Sequence, residues 1–375
     1  MSEIADITHA GAETAPATGP STAAGLTGWL EEARALARLA LPLIVTQLAQ
    51  MAIMTTDIIM LGRLSKTALA AAALGNTVFF FTWLIGCGPV SAVAPMIAHV
   101  LGRNPADGAG VRHIARMGLW SVLIVSVPLV TLLLFTHPIL LLLGQKPELA
   151  AGAGRFVGVL CIGLPASLGY QALRNFATAL GKPTAPLVVM AAAIGFNALA
   201  DYTLIFGHFG FPKLGLVGSG AASAMSYSFT FLAMVAVVYA TPGLRKFHIF
   251  RRFLRPAWYE LAEVFRLGMP IGLTMIFEAM LFNAATLIMG TFGTASVAAH
   301  QIAINVPSIT FMVPLGIGMA ATVRVGLAAG GGDAHGVRRA GFGAMALGGL
   351  FMSCTALILW SFPHQIAGLY LADTP

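Results

Sequence analysis

One apolar segment of membrane length occurs twice in this chain. The segment Leu41–Gly62 begins L-P-L-I-V-T-Q-L-A-Q and ends I-M-L-G, and the segment Met269–Gly290 begins M-P-I-G-L-T-M-I-F-E and ends L-I-M-G. Pro42 and Pro270 lie 228 positions apart, and so do the two closing glycines. A chain with this pattern is constrained to fold as two related helical units.

Two further matches extend the repeat. Asn76 in A-L-G-N corresponds to Asn305 in A-I-N at an offset of 229 positions. The loop D-G-A-G-V-R, which ends at Arg112, corresponds to D-A-H-G-V-R, which ends at Arg338, at an offset of 226 positions. Such a constant offset indicates a duplicated bundle. In membrane proteins a duplication of this kind typically surrounds a central substrate path with two lobes.

The composition is that of a polytopic membrane protein. Hydrophobic residues make up 58% of the chain and charged residues 9%, whereas a soluble domain has roughly 45 to 50% and 25%. Cys87, Cys161 and Cys354 all fall in apolar stretches, where cysteine behaves as a small hydrophobic residue. We therefore predict neither a disulfide framework nor a thiolate metal site.

Apolar runs of about 20 residues or more predict nine membrane helices and an all-α fold. They lie near residues 36–62, 68–101, 116–143, 154–180, 185–207, 215–240, 262–290, 296–328 and 340–369. Since six helices precede the repeat of the first, both lobes insert in the same sense. The predicted architecture is two parallel-repeat six-helix lobes, of which the second is represented by about three helices.

These spans divide the chain into four parts. We predict a disordered cytoplasmic tail at 1–28, a first lobe of six helices at 29–240, a basic cytoplasmic linker at 241–259 and a partial second lobe at 260–375. We expect roughly three further helices of the second lobe to be missing from this sequence, by analogy with the first.

The basic residues predict the orientation of the helices. With the amino terminus in the cytoplasm, 16 of the 21 Lys and Arg residues lie on the cytoplasmic side, as the positive-inside rule requires. The net charge of +7 is then a signal of topology. The basic run 245–255 is interpreted as a linker that contacts membrane lipids, and we predict no nucleic-acid partner.

Four motifs resemble one family of transporters. They are E-A-M-L-F-N at 278–283, A-A-H-Q-I-A at 298–303, P-L-G-I-G-M-A-A-T-V-R-V-G at 314–326 and N-A-L-A-D-Y-T-L-I-F-G at 197–207. Over residues 36–375 the chain resembles the multidrug and toxic compound extrusion (MATE) transporters. The resemblance implies twelve helices in two lobes, small-molecule drugs or organic cations as substrates, and protons or sodium as the coupling ion, with no other cofactor. We also expect a monomer in the bacterial inner membrane.

Glu278 is the candidate coupling residue of the second lobe. It lies near the middle of a predicted helix, where an ionisable side chain costs roughly 2.5 to 3.5 kcal/mol and is a functional candidate by default. A desolvated carboxyl group there is ready to exchange a proton. The alternative is a neutral carboxyl group that hydrogen-bonds a neighbouring helix. The resemblance favours cation coupling.

The first lobe offers a larger set of oxygen ligands. Asp57 lies on the first helix, Asn197 and Asp201 share one face of the fifth because they are four residues apart, and Ser219 opens the sixth. Such groups suit a sodium ion at Asp57, Asn197 and Asp201, or a proton shared between two acids. The alternative for Asp57 is a hydrated residue at the membrane surface. The resemblance favours coupling, although family members with this set carry Thr in place of Ser219.

Other polar and soft side chains are weaker candidates for a substrate cavity. Sulfur, aromatic and amide groups suit flat organic cations, but each of them is also explained by packing between helices. The candidates are Gln50, Met54, Tyr202, Met275, His300 and Asn305. Arg174 and Arg324 are expected at helix ends, with their charges extended to water.

The sequence argues against an enzyme. It contains no H-E-x-x-H, P-loop or G-x-S-x-G motif, so energy would come from an ion gradient. The acidic G-G-G-D at Asp333 lies in a loop equivalent to the one at Asp107, which argues against an intramembrane aspartyl protease. The principal alternative is a flippase for lipids or lipid-linked oligosaccharides, which would hold a phosphate with basic residues in its cavity. Acidic groups inside the spans favour a cationic passenger and an antiporter that works by alternating access.

Overall fold

The computed structural model describes residues 26–365, apart from positions 209, 211, 252, 255, 293 and 364. This part of the chain is helical and contains no strand. The helices are α1 Leu26–Leu64, α2 Lys66–Ser91, α3 Val93–Arg103, α4 Gly108–Leu134, α5 Thr136–Leu142, α6 Pro147–Leu160, α7 Leu164–Ala179, α8 Thr184–Phe206, α9 Leu216–Ala240, α10 Pro242–Arg245, α11 Trp258–Thr291, α12 Thr294–Gly330 and α13 Ala334–Ser361.

Nine candidate membrane spans occur in the described part of the chain, as predicted. Two of these spans consist of two helices each. The second span breaks between α2 and α3 at Ala92, because Pro95 has no N–H to donate to the carbonyl of Ser91. The fourth breaks at the 3-10 turn Cys161–Gly163, which is followed by Pro165 in the first turn of α7. The predicted fold class is confirmed.

The predicted end of the third span was wrong. The sequence suggested a helix up to residue 143, but α4 ends at Leu134 and α5 is a separate short helix. Pro138 explains the break, because it cannot donate a hydrogen bond to the carbonyl of Leu134. The tail 1–25 and the residues after 365 lie outside the described part of the chain.

The sequence repeat corresponds to repeated hydrogen bonds at the start of two helices. Asp107 caps α4, where its carboxylate accepts a hydrogen bond from the Gly110 N–H at 2.8 Å. Asp333 caps α13 in the same way, with the Gly336 N–H at 2.8 Å. Each cap satisfies one of the backbone donors that a helix start leaves unpaired. The two loops therefore have the same structure as well as the same sequence pattern.

A second repeated contact lies at the prolines of α1 and α11. The Thr46 hydroxyl donates to the Pro42 carbonyl at 2.8 Å, and the Thr274 hydroxyl donates to the Pro270 carbonyl at 3.0 Å. Threonine hydroxyls of this kind bond back to the preceding turn and often bend a helix. The first helix of each repeat thus carries the same local perturbation.

The helices α1 to α9 are called the first lobe below. Within it, α9 packs on α6, α7 and α8, while α1 packs on α8 and α2 packs on α4 and α6. The helices of the second repeat cover one side of this lobe: α11 contacts α2 and α4, α12 contacts α1 and α3, and α13 contacts α12 and α1. The helices α11 to α13 are called the second lobe below.

The linker between the lobes is hydrogen-bonded to side chains of α4. The Arg112 Nε donates to the Phe247 carbonyl at 2.7 Å, and the Trp120 Nε1 donates to the Phe253 carbonyl at 2.8 Å. The Trp120 ring also stacks on Phe253. The end of the bundle at which residues 241–257 lie is called the linker end, and the opposite end is called the far end.

Small residues bring the two lobes together near the linker end. Gly102 of α3 faces the Leu327 carbonyl of α12, and Gly330 of α12 faces the His99 carbonyl of α3. A methyl group at either glycine would overlap the opposite carbonyl oxygen. Glycines at such positions allow helix backbones in membranes to approach closely.

A buried ion pair also joins the lobes at this end. Arg324 of α12 donates from Nε to Glu32 Oε1 at 2.8 Å and from Nη2 to Glu32 Oε2 at 2.5 Å, and both side chains are largely buried. The expectation that Arg324 extends to water was therefore wrong. The partner lies 292 residues away in the sequence, so no local pattern indicates it.

We predict that Gly102→Ala destabilises the contact between the lobes. The added methyl group would meet the Leu327 carbonyl, and overpacking of this kind costs about 1 to 3 kcal/mol. The thermal unfolding midpoint of the purified protein should fall.

Gly349→Ala is the matched control, because Gly349 is also inside a helix and has nothing within 4 Å of its added Cβ. It gains the same helix propensity and should not lower the midpoint. Equal midpoints for the two variants would contradict the close approach of α3 and α12.

Candidate functional site

Two carboxyl groups meet inside the first lobe, toward the far end. Asp57 of α1 lies within interaction range of Asp201 of α8, and also of Asn197 on the same face of α8. The Ser223 hydroxyl of α9 donates to Asp57 Oδ2 at 3.2 Å. Three helices thus converge on one acidic cluster, formed by Asp57, Asn197, Asp201 and Ser223.

The α8 members of this cluster are shielded from solvent. Asn197 and Asp201 are each 0% exposed. The Asn197 amide donates from Nδ2 to the Ser226 hydroxyl at 3.3 Å, and Ser226 in turn donates to the Ala222 carbonyl at 2.8 Å. One N–H of the Asn197 amide thus binds Ser226, the side chain also interacts with Asp57, and its Oδ1 has no donor among the described residues.

Four buried oxygens of the cluster have no hydrogen-bond donor in the described part of the chain. They are Asp57 Oδ1, Asn197 Oδ1, Asp201 Oδ1 and Asp201 Oδ2. A buried acceptor without a partner costs about 1 to 3 kcal/mol, and more when it is charged. Two neighbouring carboxylates that are both ionised also repel each other. A proton shared by the pair, or a bound cation, relieves both costs.

The donor set suits a small hard cation. Carboxylate, amide and hydroxyl oxygens bind hard cations, whereas soft or transition metals prefer sulfur or imidazole. In the described residues no group of three or more His, Cys, Asp or Glu side chains is arranged to hold a metal. The oxygens of Asp57, Asn197, Asp201 and Ser223 suit a proton or a sodium ion.

Aromatic packing surrounds the cluster. The Tyr227 ring of α9 stacks on Phe79 of α2 with the ring centroids 5.9 Å apart, and the Tyr227 hydroxyl interacts with Asp57. Phe196, next to Asn197, stacks on Phe229 at 4.5 Å. Asp201 is fully buried, whereas Asp57 is half-buried, so the low local dielectric strengthens electrostatic interactions chiefly on the α8 side of the site.

The hydroxyl group at Asp57 belongs to Ser223, which the sequence reasoning missed. Ser219, the predicted ligand, lies one turn earlier on α9 and is 1% exposed. A signal was present, because Ser219, Ser223 and Ser226 follow the i, i+4, i+7 spacing of one helix face. The sequence predicted the correct helix and a serine hydroxyl, but it placed that hydroxyl one turn too early in α9.

Arg174 is a buried charge inside the first lobe and does not extend to water as expected. It is 4% exposed, and its Nη1 donates to Gln47 Oε1 at 2.6 Å and to Gln50 Oε1 at 3.5 Å. Gln50, a predicted cavity residue, therefore contacts α7. A guanidinium group keeps its charge in proteins. A cation that moved from the acidic cluster toward the linker end would meet this fixed positive charge.

The remaining candidates lie apart from the cluster. Glu278 is exposed on α11 and Met275 is half-buried one turn before it, while on α12 His300 is half-buried and Asn305 is exposed. The His300 Nε2 is buried without a hydrogen-bond partner among the described residues. Met54 and Tyr202 are exposed in the first lobe, and Tyr202 stacks on His208. Their roles stay predictions.

The fold and the site define a class: a helical membrane protein with an internal repeat and a buried acidic cluster. Comparison with family models matches MatE at residues 42–203 and 270–374. The chain belongs to the MatE family.

Two relatives illustrate the similarity. The chain is 43% identical over 343 residues to the probable multidrug resistance protein NorM of Brucella suis, which covers 92% of this chain and 73% of that protein. It is 42% identical over 336 residues to the NorM protein of Burkholderia mallei, with coverages of 89% and 71%.

Solved structures share the fold at low identity. The eukaryotic MATE transporter AtDTX14 matches with a TM-score of 0.79 and 21% identity, over 92% of this chain and 76% of that one. A MOP superfamily transporter from Pyrococcus furiosus, described as having a binding pocket of reverse polarity, matches with a TM-score of 0.77 and 21% identity, over 91% and 75%.

The unpaired oxygens predict opposite effects for two isosteric substitutions on α8. Asp201→Asn removes a buried carboxylate and supplies an N–H donor to the pair, so the thermal unfolding midpoint at neutral pH should rise. Asn197→Asp adds a third carboxyl group in the same place and should cost about 1 to 3 kcal/mol.

The two variants control for each other, because they make the same change of atoms in opposite directions on one helix face. If both substitutions lowered the midpoint equally, the cluster would not be limited by unpaired acceptors.

Proposed function

We propose that the protein is a secondary active multidrug exporter, which moves drugs or organic cations out of the cell in exchange for protons or sodium. The single observation that carries the proposal is the buried acidic cluster with four unpaired oxygens. The names of the NorM relatives support drugs as the class of substrate. We propose a monomer in the bacterial inner membrane, surrounded by lipid, with transport and no enzymatic activity.

The acidic cluster would couple the flux of the ion to the flux of the drug, because it would bind either the ion or the drug but not both. A proton or sodium ion at Asp57, Asn197 and Asp201 would satisfy the buried oxygens, and a cationic drug bound near the cluster would compete for the same negative charge. The ion would stabilise one conformational state of the protein and the drug would stabilise another. A ligand shifts a conformational equilibrium only through such differential binding. Glu278 would provide the equivalent group in the second lobe.

The distribution of basic residues supports a cytoplasmic linker end. By the positive-inside rule, the amino terminus and the residues 241–257 would face the cytoplasm, and the far end would face outward. The acidic cluster then lies toward the outer side, from which protons or sodium enter.

The contacts between the lobes support alternating access. The ion pair between Glu32 and Arg324 and the approach of Gly102 to α12 close the linker end. In the far half of the lobes, Met54 of α1 and Phe277 of α11 are exposed, and side chains of these types suit flat cations. We propose that substrate is released from this arrangement and that loading requires the linker-end contacts to separate.

A flippase for phosphate-bearing lipids is the second candidate. The match to a transporter described as having reverse polarity means that this fold alone does not fix the charge of the passenger. Arg174 is buried in the first lobe; its Nη1 donates to Gln47 and Gln50, while its Nε has no acceptor among the described residues. One unpaired donor of this basic side chain stands against four unpaired oxygens of the acidic cluster, which favours a cation as the passenger.

We predict that an organic cation added to everted vesicles moves protons or sodium, and that Asp57→Asn or Glu278→Gln abolishes this coupled movement. Each substitution removes a charge for which drug and ion would compete. The measurement is the change of a pH-sensitive or sodium-sensitive dye after drug addition.

Glu148→Gln serves as the control, because Glu148 is an exposed acid at the start of α6 and should leave the ion movement unchanged. Undiminished drug-coupled flux in the double variant Asp57→Asn/Glu278→Gln would remove both residues from the mechanism.

A further inference from the structure

A cavity of about 280 Å³ lies at the linker end, beside the last turn of α9. The acidic cluster lies toward the opposite end of the same helix. The wall of the cavity combines aliphatic, aromatic and basic side chains. They are Val238, Tyr239, Leu244, Arg245, His248, Ile249, Phe250 and Arg251.

The polar part of this wall is basic. Arg245, His248 and Arg251 line the cavity, and the Lys182 side chain lies near Gly243 in the same loop. The sequence contains no Asp or Glu between Asp201 and Glu260. No acid from the linker itself neutralises these charges, so the cavity attracts anions.

The backbone brings the three basic residues to one edge. The His248 N–H donates to the Arg245 carbonyl at 3.0 Å, and the Arg251 N–H donates to the His248 carbonyl at 2.9 Å. Two successive turns therefore place Arg245, His248 and Arg251 at intervals of three residues. His248 adopts a positive φ of 46°, which is uncommon for a residue other than glycine and reverses the chain between the two arginines.

The backbone of the cavity wall is anchored to the first lobe, whereas its basic side chains are exposed. Phe247 is buried, packs edge-on against Phe176, and accepts the hydrogen bond from Arg112. On the cavity wall, the Tyr239 and Phe250 rings stack with their centroids 5.4 Å apart. A binding site that is already formed loses little entropy on binding.

The residues that follow the cavity lining in the sequence are of the types that occur at a membrane surface. Leu254, Trp258 and Tyr259 are 84%, 68% and 76% exposed. Trp and Tyr concentrate where the bilayer meets water, so these side chains place the linker at the depth of the lipid headgroups.

We propose that this cavity binds the phosphate headgroup of an anionic phospholipid from the leaflet at the linker end. Arg245 and Arg251 bind the phosphate oxygens, as guanidinium groups do with bidentate hydrogen bonds. The apolar wall of Val238, Tyr239 and Phe250 packs against the glycerol and the upper acyl chains. Because the cavity is lined by α9 and the linker, and the linker is hydrogen-bonded to α4, the lipid binds the first lobe and the linker together.

Short-chain phosphatidylglycerol, titrated onto the purified protein in detergent and followed by native mass spectrometry, tests the proposal. The wild-type protein should retain one phosphatidylglycerol, and phosphatidylcholine should bind at least tenfold more weakly. The variant Arg245→Gln/Arg251→Gln should lose about thirtyfold in affinity for phosphatidylglycerol, since each basic residue at a membrane surface contributes roughly fivefold. The variant Arg63→Gln/Lys213→Gln removes two exposed charges at the far end and should bind as the wild type does.

Three results would overturn the proposal: equal affinity for the two lipids, unchanged binding by the Arg245→Gln/Arg251→Gln variant, or displacement of the lipid by inorganic phosphate at equal concentration. The last result would identify a site for free phosphate. The comparison of the two lipids uses the wild-type protein alone, so it stands even if a variant does not fold.

Discussion

The rest of the molecule depends on the cost of placing two carboxyl groups, one of them fully buried, side by side inside the first lobe. Asp57 and Asp201 contact each other, yet three of their four carboxyl oxygens have no donor within hydrogen-bond distance among the described residues. Both groups are acceptors when ionised, so the contact requires a proton or a cation. In our proposal this unsatisfied charge is what the coupling ion and the drug compete to neutralise.

The internal repeat provides the two lobes between which alternating access would occur. The same aspartate caps and the same proline-threonine contacts occur in both repeats, so each repeat builds equivalent helices. The lobes then meet through glycines and through a buried pair between Glu32 and Arg324. Breaking one partner of a buried ion pair costs several kcal/mol, whereas separating the whole interface returns both ions to water. An interface of this kind suits two discrete arrangements better than a gradual movement.

Much of this structure could be predicted from the sequence. Hydrophobic length predicted the nine spans, and the offset between Pro42 and Pro270 predicted the repeat, because both are local properties of the chain. The spacing of Asn197 and Asp201 placed them on one helix face. The contact of these residues with Asp57 is tertiary, and it was expected only through the family resemblance.

The errors have a common cause. The partner of Arg324, the burial of Arg174 and the choice of Ser223 over Ser219 are set by packing between distant segments, which a single sequence does not display. The early end of α4 has a local cause, because Pro138 lacks the N–H that a continuous helix would donate to the Leu134 carbonyl. The uninterrupted apolar run around Pro138 nevertheless suggested one helix.

The most direct test of the account is the number of coupling ions released when a drug cation binds to the purified protein. In weakly buffered detergent solution, addition of tetraphenylphosphonium should release close to one proton, or displace one bound sodium ion, for each cation bound, and Asp201→Asn should abolish the release. Binding of the cation with no release of either ion would contradict the claim that drug and ion compete for the acidic cluster.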